Sequence, residues 1–192
     1  MDIKRGAPGE TFESYLAANS GYKSHNTMIE IHAAVPADLD AIPPMFSSPA
    51  ELFLVYPKGQ FPFTLEQVRQ LYNERFEFTV LCDGATIIGF ANLYDRQQHD
   101  YAFIGNVFII PEYRQRGLGR LLLTYMIKAA FEKYRLREVR LSVFSDNGPA
   151  IALYQSFGFS ELARESRLDP ENQPKTLVHM KLANSEPEMP LI

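Results

Sequence analysis

The chain has 192 residues, 46% of them hydrophobic, and a formal net charge of −4. This length suits one domain with a sizeable core, and the acidic balance argues weakly against nonspecific nucleic-acid binding. A single cysteine, Cys82, excludes an internal disulfide framework and is expected to be a buried, unreactive thiol. Without a run of about 18 apolar residues or an apolar signal core, the sequence predicts a cytoplasmic protein with no membrane span.

The sequence predicts one domain at residues 28–182. An N-terminal extension, residues 1–27, precedes it, and a flexible polar tail, residues 183–192, follows it. Alternation and β-branched content predict strands at 29–33, 76–82, 86–94, 102–110, 138–144, 160–166 and 176–182. Helical segments are predicted at 38–40, 64–72, 118–134 and 149–157, and the proline- and aromatic-rich residues 47–63 are predicted to form a loop. Hairpins and crossover helices together predict an α/β (α+β) fold, with a single mixed, partly antiparallel sheet and helices on both faces.

A segment rich in glycine and arginine joins the predicted strand 102–110 to the predicted helix 118–134. Residues 114–120 read Arg-Gln-Arg-Gly-Leu-Gly-Arg. A helix N-terminus presents unpaired N–H groups and the positive end of the helix dipole. Glycines let an anion approach that backbone, and arginines add forked donors. The segment therefore predicts a pyrophosphate site.

Sequence motifs indicate which pyrophosphate-containing ligand this segment would bind. No Gly-Lys-Ser or Gly-Lys-Thr occurs, which excludes a P-loop, and Leu122 replaces the third glycine of a dinucleotide fingerprint. Arg114, Gly117 and Gly119 fit [QR]-x-x-G-x-[GA] instead, and residues 147–159 fit N-x-x-A-x-x-L-Y-x-x-x-G-F. The two motifs, in this order, resemble those of the GNAT superfamily of N-acetyltransferases.

The resemblance implies a fold, a co-substrate and a reaction. In the superfamily two neighbouring parallel strands, here 101–110 and 138–144, splay apart, and the pantetheine arm of acetyl-CoA lies between them. A primary amine of a small molecule or peptide attacks the thioester directly, and no metal takes part. By resemblance the cofactor-binding residues are the backbone of Val107, Phe108 and Ile109, the loop residues Gln115, Arg116, Gly117, Leu118, Gly119 and Arg120, and Asn147.

Tyr154 stands at the superfamily's usual general acid. A phenol, with a pKa of about 10, is mostly protonated at neutral pH and can donate to a departing thiolate whose thiol has a pKa of about 8.5. Tyr154 also shares a helical face with Leu153 and Phe157, so it could be part of the core. Asn147 could likewise only start the helix that follows, with Pro149 in its first turn.

The superfamily's catalytic glutamate is missing from this sequence. Its known positions correspond to Phe103 and Gly105 before the phosphate loop, and to Ser142, five residues before Asn147. The amine could arrive neutral or lose its proton through water to Asp95, His99, Asp100 or Glu30. The missing glutamate argues against an N-terminal protein acetyltransferase. It also leaves open a catalytically inactive CoA-binding regulatory module of the same fold.

In the superfamily the segment between the first two helices shapes the acceptor side, which the resemblance places here in residues 49–57, followed by Phe61 and Phe63. These aromatic side chains could form a wall for a small amine or peptide end, or they could pack on the core. Few acidic residues cluster there, so a polycationic acceptor is not favoured. The extension contains a short amphipathic stretch, with Phe12, Tyr15 and Leu16 at helical spacing, and members of the superfamily often dimerise, so the resemblance implies a homodimer.

Overall fold

The structure, a computed structural model, describes residues 29–184, which form a seven-stranded mixed sheet in the order β1-β2-β3-β4-β5-β7-β6. The strands are β1 (Ile29–Ala33), β2 (Phe76–Asp83), β3 (Thr86–Tyr94), β4 (Tyr101–Ile109), β5 (Glu138–Phe144), β6 (Ser160–Leu168) and β7 (Pro174–Ala183). The predicted fold class is confirmed. The amphipathic stretch of residues 1–27 lies outside the described residues.

Within residues 29–184, four α-helices accompany the sheet: α1 (Pro49–Val55), α2 (Leu65–Glu74), α3 (Leu118–Lys128) and α4 (Gly148–Ser156). Short 3-10 helices occupy Pro36–Ala41, Pro43–Met45 and Pro111–Tyr113, and a π turn, Ala129–Lys133, extends α3. No helix between residues 29 and 184 is long and apolar enough to cross a membrane.

Two apolar clusters cover the two faces of the sheet. Alternation along β2 separates them, because Leu81 belongs to the cluster under α3 whereas Val80 and Cys82 belong to the cluster under α1 and α2. Cys82 is buried, as expected, and burial raises the pKa of its thiol. Helices on both faces therefore hold the central strands in place from opposite sides.

Strand β4 diverges from β5, which is its parallel neighbour in the described sheet. Their ladder contains three pairs, Tyr101 with Glu138, Ala102 with Val139 and Phe103 with Arg140, and then stops. The other strand pairs of the sheet are antiparallel. The splay that the resemblance implied is therefore present, and it opens toward the segment that joins β4 to α3.

Two predictions of local structure were wrong. Residues 47–63 are not a continuous loop, because α1 begins inside them at Pro49. The Ser48 side chain caps this helix by accepting a hydrogen bond from the N–H of Glu51 at 3.2 Å, and a proline is well tolerated in the first turn. The predicted tail also starts too early, since Ala183 is the last residue of β7.

Candidate active site

A cleft of about 1320 Å³ lies where β4 and β5 separate. Its walls come from the two strands, its mouth from the loop before α3 and from the start of α4, and its far side from α1. Most of the predicted site residues line it. They are Val107, Phe108, Ile109, Gln115, Gly117, Gly119, Arg120, Asn147 and Tyr154.

The loop at the mouth is shaped by two left-handed residues. Gln115 has φ of 61° and Gly117, the N-cap of α3, has φ of 76°. The α-helix begins at Leu118, so the N–H groups of its first turn have no partners within the helix. These groups, together with the positive end of the helix dipole, can receive an anion at the cleft mouth.

Side chains of this loop differ in what they can contact. The Leu118 side chain is buried in the core, so only its backbone can serve the site. The Arg116 guanidinium stacks 4.8 Å from the Tyr113 ring, and Arg116 does not line the cleft. Arg120 lines the cleft and donates a hydrogen bond to Ser156 Oγ at 2.6 Å.

Arg114, the first residue of the loop motif, is held by the protein itself. Its Nε donates to the carbonyl of Ile109 at 2.8 Å, and its Nη2 forms an ion pair with Glu51 Oε1 at 3.1 Å. The side chain thereby joins the end of β4 to helix α1. The sequence motif did not reveal this contact, because Glu51 lies 63 positions away in the chain.

A bulge displaces β4 beside the cleft. The register with β3 shifts between Phe90 and Asn92, and Asn106 on β4 has φ of 53°. Asn106 Nδ2 donates to the carbonyl of Val55 at 2.9 Å, and its Oδ1 accepts from Asn92 Nδ2 at 2.8 Å. Beyond the bulge, Val107 to Ile109 have no β5 partner, so this edge can pair with an extended amide chain.

Tyr154 has the features of both a core residue and an active-site residue. It packs in the core, with its ring 6.0 Å from that of Phe159, and it also lines the cleft. Burial raises its pKa to about 12, so the phenol is protonated at neutral pH. Asn147 also has both features, since its Oδ1 accepts from Ala150 N–H at 3.2 Å and the residue lines the cleft.

The three positions of the missing glutamate are filled in different ways. The Phe103 ring lies 5.3 Å from that of Tyr94, and Tyr94 also covers Gly105. Ser142 is hydrogen-bonded to His179 Nδ1 at 2.8 Å across the β5–β7 ladder, and His179 Nε2 lies 3.7 Å from Glu165 Oε2.

This Ser142–His179–Glu165 chain was missed by the sequence analysis. Ser142 and His179 line the cleft. Of the four residues proposed to take the amine proton through water, Asp95 alone lines the cleft. His99 and Asp100 are exposed in the β3–β4 connection, and Glu30 lies on the edge strand β1.

The end of the cleft near the paired part of β4 and β5 carries aromatic and basic side chains. Tyr56, Tyr94 and Arg75 meet there, and the Arg75 guanidinium stacks 3.9 Å from the centre of the Tyr94 ring. Of the two expected wall residues that follow α1, Phe63 is in the core and Phe61 is exposed. The aromatic wall is therefore formed by Tyr56 and Tyr94 rather than by these phenylalanines.

The chain belongs to the acetyltransferase (GNAT) family, whose model matches residues 45–159. It is 42% identical over 62 residues to the ribosomal protein bS18-alanine N-acetyltransferase of Escherichia coli (strain K12), a segment that covers 32% of this chain and 41% of that protein. It is 34% identical over 77 residues to the spermine/spermidine N(1)-acetyltransferase of Bacillus subtilis (strain 168), covering 40% of this chain and 51% of that protein. The matched segments thus span about half of these relatives or less.

Solved structures share the fold over most of their length. The crystal structure of the ribosomal-protein-S18-alanine N-acetyltransferase from Escherichia coli has a TM-score of 0.67 at 24% identity, over 86% of this chain and 99% of that one. A spermidine N-acetyltransferase from Vibrio cholerae, in complex with CoA and spermine, has a TM-score of 0.70 at 20% identity, over 82% and 96%. The family and fold implied by the two motifs are confirmed.

Proposed function

We propose that the protein transfers the acetyl group of acetyl-CoA to a primary amine of a small molecule or peptide. The observation that carries this proposal is the break in the β4–β5 ladder after Phe103 and Arg140. The break leaves a β-edge between an anion-accepting helix N-terminus and a protonated phenol. This arrangement suits a thioester whose pyrophosphate lies at the mouth of the cleft and whose acyl group lies inside.

The reaction proceeds by direct attack in this proposal. The neutral amine nitrogen bonds to the thioester carbonyl carbon, and the carbonyl oxygen becomes an oxyanion that backbone N–H groups of the β4 edge, Val107 to Ile109, can stabilise. The carbon–sulfur bond then breaks, and the CoA thiolate takes the phenolic proton of Tyr154. Acetyl-CoA acts as a co-substrate, and no step needs a metal.

The attacking nitrogen must also lose a proton. We propose that Ser142 receives it, directly or through water, while passing its own proton to His179 Nδ1 at 2.8 Å. Glu165 Oε2 lies 3.7 Å from the other ring nitrogen of His179, so the path ends beside a carboxylate. This chain would replace the glutamate that the positions of Phe103, Gly105 and Ser142 lack.

The charge of the cleft bears on the choice of amine. Two carboxylates line it, Glu51 and Asp95, and Glu51 is already paired with Arg114. A polyamine needs several carboxylates to balance its charges, so the acceptor named for the Bacillus subtilis relative fits this cleft poorly. A monoamine or the end of a peptide fits it better.

A CoA-binding module without turnover is the second candidate, and the absent glutamate favours it. Calorimetry with acetyl-CoA, beside ATP and NAD, tests the cofactor site, and an amine screen that detects free thiol tests turnover. Acetyl-CoA binding with amine-dependent thiol release supports the enzyme. Binding without release from any amine supports the module, and failure to bind acetyl-CoA contradicts both.

A further inference from the structure

Arg75 presents a buried hydrogen-bond donor that nothing in the described part of the chain satisfies. Its Nη1 is inaccessible to solvent and has no hydrogen-bond partner within residues 29–184. A buried polar group without a partner costs free energy, and a charged one costs more. Native proteins leave few such groups, and each one calls for an explanation such as a functional role or a bound water or ion.

The position of Arg75 is fixed by its neighbours. It directly follows α2 and precedes β2, and its guanidinium stacks on the Tyr94 ring at 3.9 Å. Tyr94 in turn lies against Gly105, at the end of the cleft where β4 and β5 are still paired. The guanidinium is therefore held by aromatic packing while its Nη1 stays without a hydrogen-bond partner among residues 29–184.

The charges around this end of the cleft are unbalanced. The cations around Tyr94 are Arg75 and Arg167, the carboxylate is Asp95, and all three residues line the cleft. Arg167 is paired with Glu165 at 2.6 Å, whereas Arg75 has no carboxylate within 4.0 Å among residues 29–184. A guanidinium in this state is suited to bind a carboxylate through charge-assisted hydrogen bonds.

We propose that the acceptor is an amine that also carries a carboxylate, and that Arg75 binds this carboxylate. The inference rests on the proposed acetyl transfer and names the substrate class of the same site. The acceptor's amine faces the thioester near Ser142 and Tyr154, and its acid group binds the guanidinium of Arg75, a residue that lines the cleft. A free amino acid and the C-terminal end of a short peptide share this chemistry.

Matched pairs of amines test the preference during turnover. Phenylalanine is compared with phenethylamine, β-alanine with ethylamine, and the dipeptide Ala-Ala with its C-terminal amide. In the wild type, kcat/KM for the carboxylated member should exceed that of its partner on the order of 10- to 100-fold, the range of a hydrogen bond to a charged group. Preference confined to the dipeptide pair would identify a peptide end, and preference in the other pairs an amino acid.

Variants assign the preference to Arg75. Arg75→Gln should lower kcat/KM for the carboxylated members to the level of their partners and leave the partners unchanged. Arg75→Lys should retain part of the preference, since the charge stays but the planar fork is lost. Lys58→Gln removes the same charge from an exposed side chain of the cleft and should keep the preference. Thermal unfolding checks that each variant folds.

Binding of product analogues tests the inference without turnover. N-acetylphenylalanine and N-acetylphenethylamine are titrated by calorimetry into the wild type, with and without CoA. Tighter binding of the carboxylate, lost in Arg75→Gln, supports the inference even if no amine of the panel is acetylated. Equal binding of both, or tighter binding of the neutral analogue, overturns it. Failure of acetyl-CoA itself to bind contradicts the proposed function instead.

Discussion

The Tyr94 ring fills the space that any side chain on Gly105 would need. A Cβ on Gly105 would lie 2.8 Å from Tyr94 Cε1 and 2.9 Å from its Cδ1. Real Cβ atoms essentially never come this close to another atom, so a glutamate at position 105 would have to displace the ring. The same ring stacks on the Arg75 guanidinium. The position of Tyr94 that excludes a glutamate at 105 therefore also holds Arg75 at this end of the cleft.

Replacing Gly105 by alanine should lower the free energy of unfolding by about 1–3 kcal/mol, the usual cost of overpacking. The Tyr94 ring would have to move, and Asn92 Oδ1, 3.2 Å from the new Cβ, limits where it can go. Gly148→Ala is the matched control, because a Cβ there meets nothing within 4 Å. Chemical denaturation of both variants measures the difference, and equal stability would show that the ring yields freely.

Gly119→Val should abolish acetyl-CoA binding while the domain still folds. Gly119 is helical, and its Cβ would lie in ordinary contact with Leu153 at 3.6 Å, so the fold can accept the side chain. The added methyl groups would enter the cleft mouth, where the first N–H groups of α3 are expected to hold the pyrophosphate. Thr124→Val on the same helix serves as the control. Unchanged affinity in a folded Gly119→Val variant would remove the phosphate-site assignment.

Tyr154→Phe retains the ring and deletes the proposed proton donor. The chemical step should slow by about 10²-fold, within the range of general acid catalysis, and acetyl-CoA affinity should change little. Single-turnover thiol release measures the step. Tyr113→Phe, which removes a hydroxyl bonded to Asp83 outside the cleft, should leave it unaltered. An unchanged rate for Tyr154→Phe would mean that the thiolate leaves unaided.

The raised pKa of Tyr154 also predicts how stability depends on pH. The folded pKa of about 12 exceeds the ordinary value of 10.0, so between these values the unfolded chain releases a proton that the folded chain keeps. Stability from this group is complete below pH 10 and is lost as pH rises toward 12, by up to about 3 kcal/mol. Alkaline unfolding of the wild type and Tyr154→Phe should show the extra loss in the wild type alone.

Ser142→Ala and His179→Gln test the proposed proton path. Each should lower kcat for amine acetylation on the order of 10-fold or more, and the double variant should be no slower than the slower single variant, because both residues act in one path. Arg140→Gln is a control on the same strand. Additive losses in the double variant would indicate separate roles, and normal rates in both single variants would exclude the path.

The sequence predicted what is encoded locally. Strand 138–144 matches β5, and residues 114–117 lead into a helix that begins at Leu118, as predicted, because glycines and apolar alternation act within a few residues. Helix α1 was missed although Ser48, Pro49 and Glu51 are its start signals, because the surrounding proline and aromatic residues favoured a loop. The signals for a helix start were therefore present in the sequence, but the loop-like composition around them was given more weight.

The remaining features of the site depend on distant pairing. Ser142 meets His179 because the β5–β7 register places them opposite each other, 37 positions apart in the chain. Arg75 Nη1 has no partner among residues 29–184, and this depends on all the groups packed around it rather than on its sequence neighbours. Neither relationship has a periodicity or motif from which it could be inferred.

The contact between Arg114 and Glu51 has a consequence for engineering. Arg114 connects the end of β4 to α1 through its ion pair with Glu51 at 3.1 Å. Residues 47–63 therefore cannot be exchanged without affecting Arg114. A graft of the corresponding segment from a relative, made to change acceptor choice, would release this guanidinium unless the donor segment supplies a carboxylate at position 51. A freed Arg114 could then turn into the cleft mouth, so a swap aimed at the amine would alter the handling of the cofactor.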